Sequence, residues 1–511
     1  MTTLSLAAVL AEAARKYPDR TAVVDHAGRY SYAQLWQESL EYAGKFRELG
    51  VRPGDTVALV APNVVDFPRA YYGILAAGAA VVPVHQLLTA TEMAYVLRDS
   101  GARLVVAHSS QLATAAAAGA EAGIDVVSVG PRPDGGPLPR RLEDVDGTTP
   151  RSYETRKPDD TAVVFYTSGT TGEPKGAELS HLNLVMNALI NTAEAHEART
   201  SDVVLGCLPL FHTFGQTVSM NGTFRMGATM VLLARFSGDA AIDLMLAEGV
   251  DVFHGVPTMY VGLLEAAAGR DKLPALRLCI SGGASLPVAV LEKVTQTFSA
   301  TVYEGYGLSE TSPTATTNQP HFGARPGTVG HSIWGVDVEI ARPELEERVE
   351  LLPNGELGEI VIRGHNVFTG YRGRPEATAQ AVVDGWFRTG DLGTKDDDGY
   401  VTIVDRKKDI VIRGGFNVYP REVEEVLARH PQVAQVSVIG VPDPVHGEEI
   451  CAVVVPADDA LDADTLIEWS KERLGKHKYP RQVRLATELP MGPSMKVLKR
   501  ELRQRYSAGT L

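Results

Sequence analysis

The chain has 511 residues, 44% of them hydrophobic and 22% charged, with a formal net charge of −14. That length allows about three domains with full cores, and the composition excludes a disordered or fibrous chain. The acidic balance argues against a nucleic-acid partner, which needs a basic face. Cys207, Cys279 and Cys451, far apart and odd in number, fit neither a disulfide framework nor a zinc site. Residues 1–14 carry no basic leader, and the longest uncharged apolar stretch, 70–85, is too short for a membrane span. The expectation is a cytoplasmic protein with no integral membrane segment.

Two periods alternate along the first 130 residues. Residues 55–60, 79–84, 103–107 and 124–129 are short apolar runs, while 64–77 and 89–99 have helical spacing and an Ala-rich helix precedes the fourth run. Apolar strands separated by amphipathic helices predict a buried parallel sheet with helical crossovers. Residues 130–139 (GPRPDGGPLP) form a breaker-rich loop. The rhythm resumes at Thr161 and runs to about Thr317, with strands at 203–208, 229–233 and 276–280.

After Gly327 the texture changes. Short alternating segments at 336–340, 358–362 and 400–404 predict an antiparallel or barrel-like subdomain. From Asp409 follow a hairpin, a helix at 421–429, strands at 433–441 and 449–455, and a helix at 463–474. Residues 471–505 hold eleven Lys or Arg against three Glu. The fold class is α/β: a large domain of doubly wound sheets plus a barrel-like subdomain, residues 1–407, and a small mobile α+β cap, residues 408–511.

The densest chemical signal is residues 166–176 (YTSGTTGEPKG), directly after the strand at 161–165. Its glycines let backbone N–H groups converge on an anion. Ser168, Thr170 and Thr171 can donate to phosphate oxygens, and Lys175 supplies charge. The spacing is not that of a Walker A loop.

This loop resembles the signature of the adenylate-forming enzymes, the superfamily of acyl- and aryl-CoA synthetases, peptide-synthetase adenylation domains and firefly luciferase. Four further segments match in the expected order. Residues 303–311 (YEGYGLSET) resemble the adenine and magnesium motif, and 387–392 (FRTGDL) the ribose motif. Residues 405–424 (DRKKDIVIRGGFNVYPREVE) resemble the hinge and the segment after it, and 490–502 (PMGPSMKVLKREL) the C-terminal lysine motif. The match spans nearly the whole chain.

The resemblance implies activation of a carboxylic acid by ATP to acyl-AMP with release of pyrophosphate, then displacement of AMP by the thiol of CoA. Charge concentrates in such a transition state, so positioned cations and donors should dominate catalysis. Thr167, Ser168, Gly169, Thr170, Thr171, Lys175, Glu304, Gly305 and Tyr306 are then ATP/AMP contacts. Glu310 would hold Mg²⁺, a hard cation suited to carboxylate and phosphate oxygens. Thr311 would touch the α-phosphate, and Asp391 the ribose hydroxyls, with Arg406 beside it. Lys496 would bridge the carboxylate and the α-phosphate, although the position before it, usually Gly in the family, is Met495. Lys408 matches the hinge, about which the cap rotates to bring Arg413, Gly414, Gly415 and Phe416 to the CoA tunnel.

Residues 208–215 (LPLFHTFG) resemble the segment whose His closes over the carboxylate, which makes His212 a gate or orienting residue. No acidic residue lies between Leu205 and Ala234. A buried ammonium there would be uncompensated, so an amino-acid substrate is disfavoured. His254, Gly255, Val256, Gly282, Gly283 and Ala284 resemble the acyl-pocket walls, completed by Gly305, Gly307 and Val329. These are small or apolar and suit an acyl tail. Malonate-activating relatives carry an Arg where Val261 and Gly262 stand here, while Arg225 remains as a carboxylate partner. A medium- or long-chain fatty acid is expected, with an aryl, short-chain or malonyl acid as the alternative. Transfer to an acyl carrier protein instead of CoA, and nucleotide binding without catalysis, are the competing readings. The Gly414–Phe416 segment and the basic tail favour CoA.

Overall fold

The structure is a computed structural model that describes residues 2–132, 139–167, 173–458, 460–492 and 496–511. Two sheets form the body. The first has seven strands in the order Gly370–Tyr371, Lys175–Ser180, Thr161–Thr167, Ala80–Pro83, Thr56–Val60, Ala102–His108, Val126–Val129. The last five are mutually parallel, as the strand–helix rhythm requires. Thr56–Val60 and Ala80–Pro83 are buried at every position, the condition of strands covered on both faces. Between them and their neighbours run helices Asp66–Ala76, Ala90–Asp99 and Leu112–Ala122. The second of these starts where Thr89 and Glu92 form a reciprocal capping box.

The predicted strand at 161–165 extends to Thr167 and is answered by the antiparallel strand Lys175–Ser180. Thr167 and Lys175 are cross-strand partners, so the glycine-rich segment joins two hairpin strands.

The second sheet has nine strands: His331–Ser332, Thr314–Thr317, Val302–Gly307, Leu278–Ser281, Val252–Gly255, Val203–Gly206, Thr229–Leu232, Thr21–Asp25, Gly28–Ser31. Its central six pair in parallel and its edges antiparallel. One hydrophobic core joins the two sheets, with Phe67, Tyr71 and Tyr72 packed beside Phe224 and Met230. Two π-helical segments, Asn191–Ala195 and Phe214–Asn221, lie against the second sheet. The second is buried throughout, and no periodicity in the sequence announces it.

Val336–Ala341, Gly358–Gly364, Trp386–Lys395, Val382–Val383 and Val401–Arg406 make the expected antiparallel subdomain. Its last strand ends at Arg406, and the sheet of the C-terminal unit begins at Val411. That unit has its own core of Val411, Val423, Leu427, Val438 and Ile450. It rests on the body through Arg421, whose N–H donates to the Asp405 carboxylate (2.9 Å) and whose guanidinium donates to Ile403 O (2.7 Å). Among the described residues, no helix is long and apolar enough to cross a membrane.

Candidate active site

The subdomain sheet sets a buried anion at the edge of the cleft. Asp391, on Trp386–Lys395, lies directly across from Arg406 on Val401–Arg406. Arg406 Nε is 3.1 Å from one carboxylate oxygen, and the Tyr306 hydroxyl donates to the other at 2.7 Å. Asp391 is only 4% exposed, and these two partners satisfy its carboxylate. The Asp391 carboxylate in turn holds the Arg406 pKa above its usual value. Burial, with the carboxylate adding to it, drives the Tyr306 pKa well up and keeps the phenol a donor.

Tyr306 belongs to the strand Val302–Gly307, and the turn Ser309–Thr311 directly after it presents Glu310. Gly307 permits this tight passage, since a Cβ there would fall 1.7 Å from Pro313 O. One Glu310 oxygen accepts from the Tyr371 hydroxyl at 2.9 Å and from the Thr167 hydroxyl at 3.5 Å. Lys175 Nζ sits 5.2 Å from the centre of the same Tyr371 ring. Thr167, Lys175 and Glu310 thus converge on Tyr371, a residue the sequence reading missed. Ser168, Gly169, Thr170, Thr171 and Met495 lie outside the described residues.

Lys496 enters this cleft from the cap. Gly492 N–H donates to Lys496 O at 2.6 Å, and Met491 bridges to Val497 beside the lysine. Its Cε and Nζ lie 3.4 and 4.0 Å from where a Cβ on Gly283 would sit. Burial pulls its pKa down to about 8, and Arg406 acts in the same direction; Asp391 and Glu310 oppose them. His212 is close enough to feel the Lys496 charge. Burial first, and then that charge, lower its pKa to about 3, so the imidazole is neutral. Its Nδ1 accepts the Phe214 N–H at 3.3 Å.

Beyond His212 the wall of the cleft is formed by the ends of two parallel strands. Phe214 stacks over His254 with ring centres 6.4 Å apart and planes 21° apart, and a Cβ on Gly282 would lie 3.2 Å from the Phe214 ring. Val256 approaches the Gly283 position to 3.4 Å, while Gly255 backs onto the Phe253 ring. His254, Gly255, Val256, Gly282 and Gly283 therefore come together. Ala284 is exposed beside them, and Val329 is buried behind Tyr306. Gly305 faces Thr316 and Thr317 at 3.3 Å. The wall is more polar than its sequence suggests, because Ser219 Oγ is hydrogen-bonded to His254 Nδ1 at 2.9 Å.

Two motif residues offer no accessible side chain. The Glu304 carboxyl is 2% exposed and accepts the Leu286 N–H at 3.0 Å; burial raises its pKa to about 7. Thr311 is fully buried, with its hydroxyl donating to the Leu308 and Pro313 carbonyls. A side-chain contact from either to a nucleotide would require these local bonds to open. On the cap, Gly414 (φ +56°) and Gly415 (φ +84°) close a tight hairpin that two left-handed residues require. Arg413 is paired with Glu449 at 2.6 Å, and Phe416 is exposed, with its ring tilted against His477. Lys408 is exposed on the link between the two sheets.

Residues 10–372 match the family model described as AMP-binding enzyme, and residues 422–496 match the AMP-binding enzyme C-terminal domain. The chain belongs to the AMP-binding enzyme family. Similar curated proteins include a feruloyl-CoA synthase of Amycolatopsis sp, 37% identical over 96% of this chain and 97% of that protein. A long-chain-fatty-acid–CoA ligase of Bacillus subtilis (strain 168) is 33% identical over 98% of this chain and 94% of its own. Among solved structures, ATP-bound MatB from Rhodopseudomonas palustris is similar with a TM-score of 0.88 at 34% identity, over 99% of this chain and 100% of that one. The apo form of the same MatB gives 0.79. This AMP-binding enzyme is an AMP-forming acid–CoA ligase that uses ATP and CoA.

Proposed function

We propose that the enzyme adenylates its acid with the cap docked in this arrangement, and forms the thioester after the cap has turned about Lys408. The observation that carries this reading is Lys496, delivered by the cap into the cleft that holds Glu310 and Asp391. Asp391 accepts the ribose hydroxyls of ATP, and Arg406 and Tyr306 fix its carboxylate. Lys175 and the loop beside it hold the terminal phosphates. One carboxylate oxygen of the acid bonds to the α-phosphorus as the bond to pyrophosphate breaks. Lys496 lies between these two anions, lowering their repulsion before the bond forms. His212, neutral at working pH, orients the carboxylate by hydrogen bonding. In the second step the CoA sulfur bonds to the acyl carbon, AMP leaves with the electron pair, and the thiol proton passes to solvent.

Glu310 suits Mg²⁺. It is a hard anionic ligand 7% exposed, with one oxygen engaged by hydroxyl donors and the other accepting no hydrogen bond among the described residues. A bound Mg²⁺ would neutralise charge on the phosphates.

The acid is read as compact, an aryl or short-chain acid ahead of the fatty acid that the sequence alone favours. The Phe214 ring, lying over His254 and against Gly282, supports a flat or short occupant. The likeness to a feruloyl-CoA synthase supports the same choice. Pyrophosphate release with Mg-ATP should be measured over acetate, malonate, benzoate, octanoate and palmitate. Benzoate should exceed palmitate about tenfold in kcat/KM. Palmitate as the best substrate would restore the fatty-acid reading.

The Lys496 pKa of about 8 gives a second expectation. Between that value and the usual lysine range, the docked amine is neutral and an undocked one charged, so docking releases a proton. Rising pH therefore favours docking but removes the cation that the step needs. The kcat/KM for pyrophosphate release should fall as pH rises through about 8. Lys496→Arg keeps its charge and should flatten that limb, whatever its absolute rate. An identical alkaline limb in the variant would place the titration on another group.

A further inference from the structure

Behind His254 is a cavity of about 20 Å³, room for a single oxygen atom, on the sheet face that carries Val204, Val252 and Leu278. His254 lines this cavity and is also the ring over which Phe214 stacks. The lining is unusual for a core position. Asn191 Oδ1 and Thr223 Oγ1 are buried there with no hydrogen-bond partner, on residues 0% and 4% exposed. Unmet buried polar groups are rare because each is costly to desolvate. Thr192 and Asp202 also line it, together with two imidazoles: His196, hydrogen-bonded to Thr317 Oγ1 at 3.2 Å, and His254, bonded to Ser219. Burial lowers their pKa values to about 3 and about 4, so both are neutral donor–acceptor groups. The π-helical segments Asn191–Ala195 and Phe214–Asn221 supply Asn191 and Ser219, and such segments are frequent at functional sites.

We infer that this cavity is the distal subsite of the acyl pocket, and that it takes one neutral hydroxyl at the far end of the acid. The inference rests on the acid-ligase reading above and narrows its substrate class. A plain alkyl or aryl end would leave Thr223 and Asn191 unmet, whereas a hydroxyl can donate to Asn191 Oδ1 and accept from Thr223. A distal carboxylate is disfavoured. No Lys or Arg is among the described residues lining the cavity, and the one charged lining group is the Asp202 carboxylate, already paired with Arg277 at 2.6 Å. Ser219 holds the His254 ring and is a positioning residue.

The test uses two matched pairs, benzoate with 4-hydroxybenzoate and cinnamate with 4-hydroxycinnamate, on the wild-type chain, Thr223→Val and Ser219→Ala. Both kcat/KM for pyrophosphate release and Kd by calorimetry are read. Thr223→Val keeps the side-chain shape and removes only an unpartnered hydroxyl, so its melting temperature should hold. In the wild type the hydroxylated member of at least one pair should lead about tenfold in both readouts. Each variant should bring that ratio toward one. A wild-type ratio of one or less, a ratio that neither variant changes, or no binding by any of the four acids would overturn the subsite, leaving a cavity suited only to a structural water. Oxygen-selective binding without any pyrophosphate release would keep the subsite and overturn the ligase reading instead.

Discussion

Lys496→Ala should lower acid-dependent pyrophosphate release by about a hundred- to a thousandfold, the range for losing one preorganised charge-stabilising donor. The same variant, supplied with acyl-AMP and CoA, should form thioester within about threefold of wild type, because its missing cation serves only the step in which two anions meet. The geometry explains the asymmetry. Lys496 comes from the cap, while its opposing charges, Asp391 and Glu310, belong to the body, so the contact exists only while the cap is docked. Docking is held by backbone and side-chain bonds from Arg421 to Asp405 and Ile403, and by Val288 N–H donating to Glu425 at 3.4 Å. An equal loss in both half-reactions would place Lys496 in a general structural role.

Asp391→Asn should weaken ATP about a hundredfold in KM while changing the KM of the acid by less than about threefold. Asp391 is the buried carboxylate that would accept the ribose hydroxyls, and a hydrogen bond to a charged group is worth about 1.5–3 kcal/mol, roughly ten- to a hundredfold or more. The amide is neutral, so it loses the ion pair with the half-exposed Arg406 and accepts more weakly from the Tyr306 hydroxyl and from ribose. Calorimetric titration with ATP reads the effect without turnover. A variant whose acid KM moved while ATP binding held would assign Asp391 to the acyl side of the cleft.

Much of the body was readable because its signals are local. Runs such as Thr56–Val60 are apolar at successive positions since both faces are covered, and Thr89 with Glu92 marks a helix start within four residues. The order of motif segments also placed Asp391 and Arg406 near one another, and the antiparallel register makes them direct partners. What escaped depends on distant chain. Tyr371 reaches Glu310 only because the short strand Gly370–Tyr371 pairs with Glu178 and Ala177, a contact with no periodic trace. The π-helical turn of Phe214–Asn221 re-aims Phe214 and Ser219 toward His254, so a wall that reads as small and apolar acquires a stacked ring and a hydrogen bond. Thr311 lies inside a recognised motif, but its hydroxyl is engaged by a turn whose closure the one-dimensional spacing does not reveal.

A product balance on the wild-type enzyme tests the two-step reaction: pyrophosphate, AMP and acyl-CoA formed from Mg-ATP and one accepted acid, with CoA present and absent. Equal amounts of all three products with CoA, and a pyrophosphate burst near one per active site without it, are predicted. Pyrophosphate release that CoA fails to accelerate, or ADP and phosphate in place of AMP and pyrophosphate, would contradict it.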